Sequence, residues 1–351
     1  AHDEGPCTVG SCGRHGYCSH EGFCVCTATF EGPRCQTPKQ LTEAMRKPPF
    51  KPIWEMGFEG NILLAQERAR NVSSITVHLP GKEKDPDKGF RTLVEPKDLK
   101  ALIDVLPPRD NLVDHTYKRC AIIGSSGIVL HYEHGKDIDA HDMVMRFNSA
   151  PAKGFEKHVG SKTTHRITNT QNWGFHEFSD ELIMIHFRAT SAVKGIFWNA
   201  KQKDKLNLYA FDPEFVEYIA HGLDFMATSG LYGILIALQR CAQVDIYGFQ
   251  VTTTHGTLYH YYDVCDVPAN VERDDSEWLV VKGLADAGLV RFAEPCIPEC
   301  HESPASCEKC KKVHKFKQVK YPSRAHCDPN AVSRGHLASV PWRRSARHGG
   351  H

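Results

Sequence analysis

The sequence predicts an α/β domain with a mostly parallel sheet, preceded by a small disulfide-rich module. Three observations carry that prediction. Short apolar runs alternate with helix-period segments between about residues 119 and 292, the pattern of strand–helix–strand crossovers. A Gly/Ser turn, Gly124-Ser125-Ser126-Gly127, follows the first of those runs, where such folds pass from strand to helix. Six cysteines fall within the first 35 residues, a stretch too short and too polar to build a core of its own.

Those six are Cys7, Cys12, Cys18, Cys24, Cys26 and Cys35. Disulfides must supply the stability that a core cannot, typically about 2–4 kcal/mol each. The short Cys24-Val25-Cys26 step, then Phe30-Glu31-Gly32 before Cys35, resembles an EGF-like module over residues 1–36. The resemblance implies pairing of first with third, second with fourth and fifth with sixth cysteine, and an oxidising compartment. Asp3 and Glu4 are all that remains of the acidic cluster found in calcium-binding modules, so no calcium is expected. The module reads as a rigid stalk or spacer.

Residues 37–60 read as a linker, with Pro38, Pro48, Pro49 and Pro52 and little periodicity. Residues 61–295 form the expected main domain. It opens with short helices over 61–71 and 99–106, the second stopped by Pro107-Pro108. Apolar runs at 120–123, 143–147, 182–187 and 244–247 read as strands. The clearest helix spans 229–241, with Leu231, Ile234, Leu235 and Leu238 on one face. A further helix over 277–288 ends at Gly288 and leads into a strand at 289–292. Little is legible in 170–225. Residues 296–351 form a Cys-rich basic extension.

Composition narrows the function. Lys+Arg 43 against Asp+Glu 42 leaves a net charge of +1, which argues against nucleic-acid binding through bulk charge. No apolar stretch reaches the roughly 18 residues of a membrane span. The chain opens AHDEG, so it reads as a lumenal portion whose membrane anchor lies elsewhere. One glycosylation sequon, Asn71-Val72-Ser73, fits the same compartment. In the extension, Cys296, Cys300, Cys307 and Cys310 have spacings that could bind zinc, with His301, His314 and His326 nearby. Disulfides that include Cys265 and Cys327 are the expected outcome in an oxidising lumen, and six cysteines allow 15 pairings.

The Gly/Ser turn alone is a weak phosphate-binding signal, and a tight structural turn explains it equally well. Its neighbours sharpen it. The stretch from Arg119 to Asn169 contains Cys120, the turn, Ile138-Asp139-Ala140-His141-Asp142, Arg146-Phe147-Asn148-Ser149-Ala150-Pro151 and Val159-Gly160-Ser161-Lys162-Thr163-Thr164. This resembles the long sialyl motif of animal-type sialyltransferases. Thr228-Ser229-Gly230, Cys241 and Tyr247-Gly248-Phe249 resemble the short motif, and His260-Tyr261-Tyr262-Asp263 the third. The resemblance covers residues 110–295 and implies the sialyltransferase variant of the GT-A fold, with a Rossmann-like sheet.

The resemblance also implies roles. Cys120 and Cys241 would form a disulfide. Gly124, Ser125, Ser126, Gly127, Asn148, Asn169 and Gly248 would line the site of a CMP-activated acidic sugar. Thr228 and Gly230, at a helix N-terminus, would hold the sugar carboxylate, a role the free N–H groups there suit, with Ser229 between them also in the donor site. Plain N-capping explains Thr228 and Ser229 equally well on sequence alone. His260 would contact the phosphate and stabilise departing CMP.

Two departures stand out. Ile128 replaces a donor residue of the loop. The family's catalytic base is a His five residues before a Glu, whereas Glu277 here is preceded at that spacing by Glu272. A carboxylate can act as general base, and a solvated helix start explains Glu272 as well. His255 is the nearest spare histidine. Asp137-Ile138-Asp139 has the spacing of a metal-binding pair but reads as structural, so neither metal nor cofactor is expected.

The function expected is inverting transfer of sialic acid, Kdo or KDN from its CMP ester to a glycan hydroxyl. The acceptor would sit on a glycoprotein, glycolipid or polysaccharide. The setting is the Golgi lumen, as a type II membrane protein in full length, or the secreted space. The alternative is a catalytically inactive glycan- or nucleotide-binding adhesion protein. A nicotinamide oxidoreductase fits poorly, because the loop lacks the third Gly of the fingerprint.

Overall fold

The computed structural model describes residues 6–51, 55–79, 89–169, 171–186, 190–249, 257–268, 271–314 and 317–327. Its centre is a seven-stranded sheet. The strands are β1 (Tyr117–Ile123), β2 (Met143–Phe147), β3 (His165–Thr168), β4 (Leu182–Ile185), β5 (Leu208–Ala210), β6 (Cys241–Tyr247) and β7 (Arg291–Phe292). All neighbouring pairs are parallel, in the spatial order β5-β4-β3-β2-β1-β6-β7. Every residue of β2, β3 and β4 is buried, as a sheet covered on both faces requires.

The chain order reverses between β1 and β6. That makes the carboxyl ends of these two strands a topological switch point, where open α/β sheets bind ligands. The sulfurs of Cys120 in β1 and Cys241 in β6 are joined, closing a sequence separation of 121.

Helices α1 (Thr190–Ala200), α2 (Pro213–Gly222), α3 (Ser229–Arg240) and α4 (Val271–Asp286) accompany the sheet. Helix α3 is buried from Leu231 to its end. A Cβ on Gly233 would meet the Phe147 ring at 2.5 Å and the Met145 sulfur at 2.8 Å, so a glycine lets α3 approach β2. Helix α3 therefore has a fixed height relative to the sheet, and its N-terminus lies at the carboxyl ends of the strands.

The N-terminal segment is knit by Cys7–Cys18, Cys12–Cys24 and Cys26–Cys35. It is packed against the main domain. Ala28 N–H donates to Cys241 O at 2.8 Å, and Thr29 Oγ1 donates to Leu238 O at 3.1 Å. His15 stacks on Phe30 with ring centroids 3.5 Å apart and accepts from Arg240 Nη2 through Nδ1. Its other nitrogen therefore carries the proton given to Glu59 Oε2. Burial lowers the pKa of His15 and brings that of Arg240 down to about 10.

The linker expectation for residues 37–60 is corrected. Leu41, Met45, Phe50, Met56 and Phe58 belong to the main core, and Gln239 of α3 bonds the backbone of Met56 and Phe58. Prolines here shape an irregular but buried path rather than a spacer. The helix expected over 61–71 shrinks to Gln66–Ala69, because Ile62 and Leu63 instead donate their N–H groups to buried Asp110 at 2.7 and 2.9 Å. The second expected helix spans Pro96–Ile103. The stretch with little legible pattern contains α1, β5 and α2.

Beyond β7, helices α5 (Ile297–Glu302) and α6 (Pro304–Val313) are joined by Cys296–Cys310 and Cys300–Cys307. Cys265 pairs with Cys327. All fourteen cysteines are disulfide-bonded.

Candidate active site

The carboxyl ends of β1 and β6 touch backbone to backbone. Gly124 N–H donates to Tyr247 O at 2.6 Å, Ser126 N–H to Gly248 O at 3.1 Å, and Gly127 N–H to Leu258 O at 2.8 Å. Ser126 Oγ accepts from Ile128 N. A Cβ on Gly124 would meet Gly248 O at 2.3 Å, and one on Gly127 would meet Leu258 N at 2.7 Å. The glycines are therefore needed for close backbone packing. Three of the loop N–H groups expected to face a phosphate, those of Gly124, Ser126 and Gly127, are spent within the protein. Ile128 is buried rather than facing a ligand. Half-buried Ser125 keeps its hydroxyl without a protein partner among the described residues.

Tyr261 N–H donates to Ser125 O at 2.8 Å, so the segment carrying His260 is zipped to the same loop. Gly248, with φ of +67°, is held from behind by Glu294, whose Oε1 accepts its N–H at 2.9 Å. Burial raises the Glu294 pKa to about 8, and its Oε2 has no partner among the described residues.

At the end of β2, Asn148 has φ of +49°, a left-handed conformation that Asn tolerates better than most residues. Its backbone is fixed by Ile167 O at 2.7 Å, and its Oδ1 accepts from Asn169 N at 3.0 Å. Arg166, fully buried and paired with Glu181 at 2.6 Å, donates to the carbonyls of Asn148 and Ala150. Fully buried Arg146 ties the carbonyls of Val159, Gly160 and Lys162. Arg166 thus braces the turn that presents Asn148, whose Nδ2 stays unclaimed among the described residues, and Arg146 braces the turn before β3. Asn169 spends its own Oδ1 on Gln171 and Asn172. Buried hydroxyls of Ser149 and Thr168, beside these two asparagines, have no partner among the described residues.

Thr228 caps α3, its Oγ1 accepting from Leu231 N at 3.3 Å. Its own N–H and hydroxyl go to Glu277 of α4 at 3.1 and 2.5 Å. Thr228 therefore has no N–H left to offer, whereas Ser229 and Gly230 keep theirs among the described residues. Ser229 Oγ shares a hydrogen bond of 2.9 Å with His186, at the end of β4. Phe249 connects these parts, lying 3.1 Å from where a Gly230 Cβ would stand and edge-on to Phe147.

His260 is half-buried between the Tyr259 and Tyr262 rings. Its Nδ1–H donates to Asp266 Oδ2 at 2.6 Å. Nothing in the sequence singled out Asp266, His186 or Glu294. Glu272 belongs to the first turn of α4, with its side chain outside the described residues. His255 lies outside them altogether. Asp137 and Asp139 are turned to different partners: Tyr247 OH donates to the first, and the N–H groups of Ser161 and Lys162 to the second. The sequon Asn71 lies apart, in a cavity lined also by Gly60, Asn61, Glu67, Arg68 and Glu214.

The structure therefore defines an α/β protein whose switch point is braced by polar contacts. Asn148, the start of α3, the β1 loop and His260 gather at the carboxyl ends of β1, β2 and β6. Residues 85–188 and 180–289 match the family described as Glycosyltransferase family 29 (sialyltransferase). That is more than half of the chain, and the chain belongs to this family.

Among curated proteins, the chain is 30% identical over 189 residues to a CMP-N-acetylneuraminate-beta-galactosamide-alpha-2,3-sialyltransferase 1 of Gallus gallus, covering 47% of this chain and 54% of that protein. It is 30% identical over 187 residues to a beta-galactoside alpha-2,6-sialyltransferase 2 of Gallus gallus, covering 45% and 35% respectively. The chain thus spans about half of the first relative and about a third of the second. A solved structure titled as a mammalian sialyltransferase aligns at 25% identity over 66% of this chain and 89% of that one, with a TM-score of 0.49.

Proposed function

We propose that the chain transfers sialic acid, or the related acidic sugars Kdo or KDN, from its CMP ester to a glycan hydroxyl with inversion. The supporting observation is the gathering of Asn148, the unclaimed N–H groups of Ser229 and Gly230, and His260 at the carboxyl ends of β1, β2 and β6. A cytidine phosphate set between the β1 loop and Asn148 puts its sugar carboxylate at the start of α3, where helix N–H groups favour an anion. His260 faces the phosphate, and a hydrogen bond there stabilises the charge that develops as CMP leaves. An acceptor oxygen attacks the anomeric carbon from the opposite side, its proton passing to a base. Glu272 is the base proposed, with His255 the substitute. The reaction needs neither metal nor cofactor. The acceptor is a glycan on protein, lipid or polysaccharide.

Seven disulfides support a secretory setting, in the Golgi lumen behind a type II anchor or outside the cell. The test is CMP release from CMP-Neu5Ac and from CMP-Kdo over a panel of glycan acceptors, with calorimetry for CMP alongside. Acceptor-dependent release supports transfer. CMP binding without release supports the inactive binding protein, and no binding of any cytidine nucleotide overturns both readings.

A further inference from the structure

We propose that Asp266 is a positioning residue that fixes the imidazole of His260 so that Nε2 faces the phosphate of a cytidine nucleotide. The inference rests on the donor site proposed above and adds a residue to it.

The geometry is direct. Asp266 Oδ2 lies 2.6 Å from His260 Nδ1, so Nδ1 carries the proton of that hydrogen bond. A neutral ring in this tautomer presents only the lone pair of Nε2, which repels a phosphate oxygen. A ring that also carries a proton on Nε2 donates it to that oxygen. Nε2 has no partner among the described residues.

The surroundings leave the ring little freedom. Tyr262 stacks on it at 5.2 Å, and Tyr259 tilts against it at 4.5 Å. Asp263, the other acid of the turn, spends Oδ1 on Cys265 N at 2.9 Å, which leaves Asp266 as the carboxylate that holds the ring. On one side, Tyr261 N–H anchors the segment to Ser125 O. On the other, Cys265 is stapled to Cys327. Asp266 follows that staple directly, so its position is fixed from both directions.

Calorimetric titration of CMP and of cytidine separates this role from general support, because cytidine lacks the phosphate. In Asp266→Asn the hydrogen bond survives and the charge is lost. CMP affinity is expected to fall on the order of tenfold, the difference between a charge-assisted and a neutral hydrogen bond. Cytidine affinity is expected to stay unchanged, and Asp266→Glu to restore most of the CMP affinity. In a His260→Gln background, Asp266→Asn is expected to cost nothing further.

Equal CMP affinity of wild type and Asp266→Asn overturns this inference and leaves the donor site standing. Equal losses for CMP and cytidine assign Asp266 to folding support and overturn it too. A wild-type chain that binds neither compound removes the donor site and this inference with it.

Discussion

Replacing Glu294 by Gln is expected to stabilise the protein, and more so as pH rises. Burial lifts the folded carboxyl from its ordinary 4.5 to about 8. The unfolded chain releases the same proton near the ordinary value. Between these two values the unfolded chain binds fewer protons than the folded one, so stability falls as pH rises. Above about 8 both states are ionised and the loss levels off. From 4.5 to pH 7 the loss amounts to about 3 kcal/mol, at about 1.36 kcal/mol per unit. Gln keeps an oxygen to accept Gly248 N–H and has no proton to hold. Its second group stays buried where Oε2 now lacks a partner, so the net gain is smaller, about 1–2 kcal/mol at pH 7. Denaturant unfolding of both proteins at pH 5 and pH 8 measures it. Burial raises Asp212 to about 7 as well, but that residue is common to both proteins and cancels in the difference. An identical stability difference at pH 5 and pH 8 would refute the reasoning.

Three further outcomes are expected. Changing Cys120 and Cys241 together to Ala opens a loop of 121 residues and should cost about 4–5 kcal/mol in non-reducing denaturant unfolding. Thr228→Ala removes the α3 cap, at about 1 kcal/mol in thermal melts. It should also weaken binding of an intact CMP-sugar more than binding of CMP, since CMP lacks the carboxylate assigned to that helix start; equal weakening would move the carboxylate elsewhere. Glu272→Gln should lower turnover about 100-fold or more while His255→Ala leaves it within a few-fold; the reverse result, in steady-state rates, would exchange their roles.

The inner sheet was legible where strands are wholly apolar. Met143–Phe147 matches its apolar run, and the end of β1 does too. Strand β3 was not, because its His165 and Arg166 interrupt the hydrophobic pattern. Both are buried, and Arg166 is accommodated only by its pairing with Glu181, fifteen residues on. Residues 37–60 misled for a related reason. Their prolines suppress periodicity, while Met45 and Phe50 find a core that only the tertiary fold creates. The site was legible as a set of motifs but not as a set of bonds. Gly124 and Gly127 read as phosphate-facing until the backbone of Tyr247 and Leu258 is seen to claim their N–H groups. Asp266 carries no local signal at all, since its meeting with His260 depends on the turn between them.

The N-terminal disulfide-knit segment grips the last turn of α3 and the first residue of β6, through Ala28, Thr29 and His15. Those contacts lie at the amino ends of the strands, the pole of the sheet facing away from Asn148 and His260. Material bound through this segment would be presented from the rear. The two ends of the sheet are thus separate surfaces, and what binds at one need not compete for space with what binds at the other.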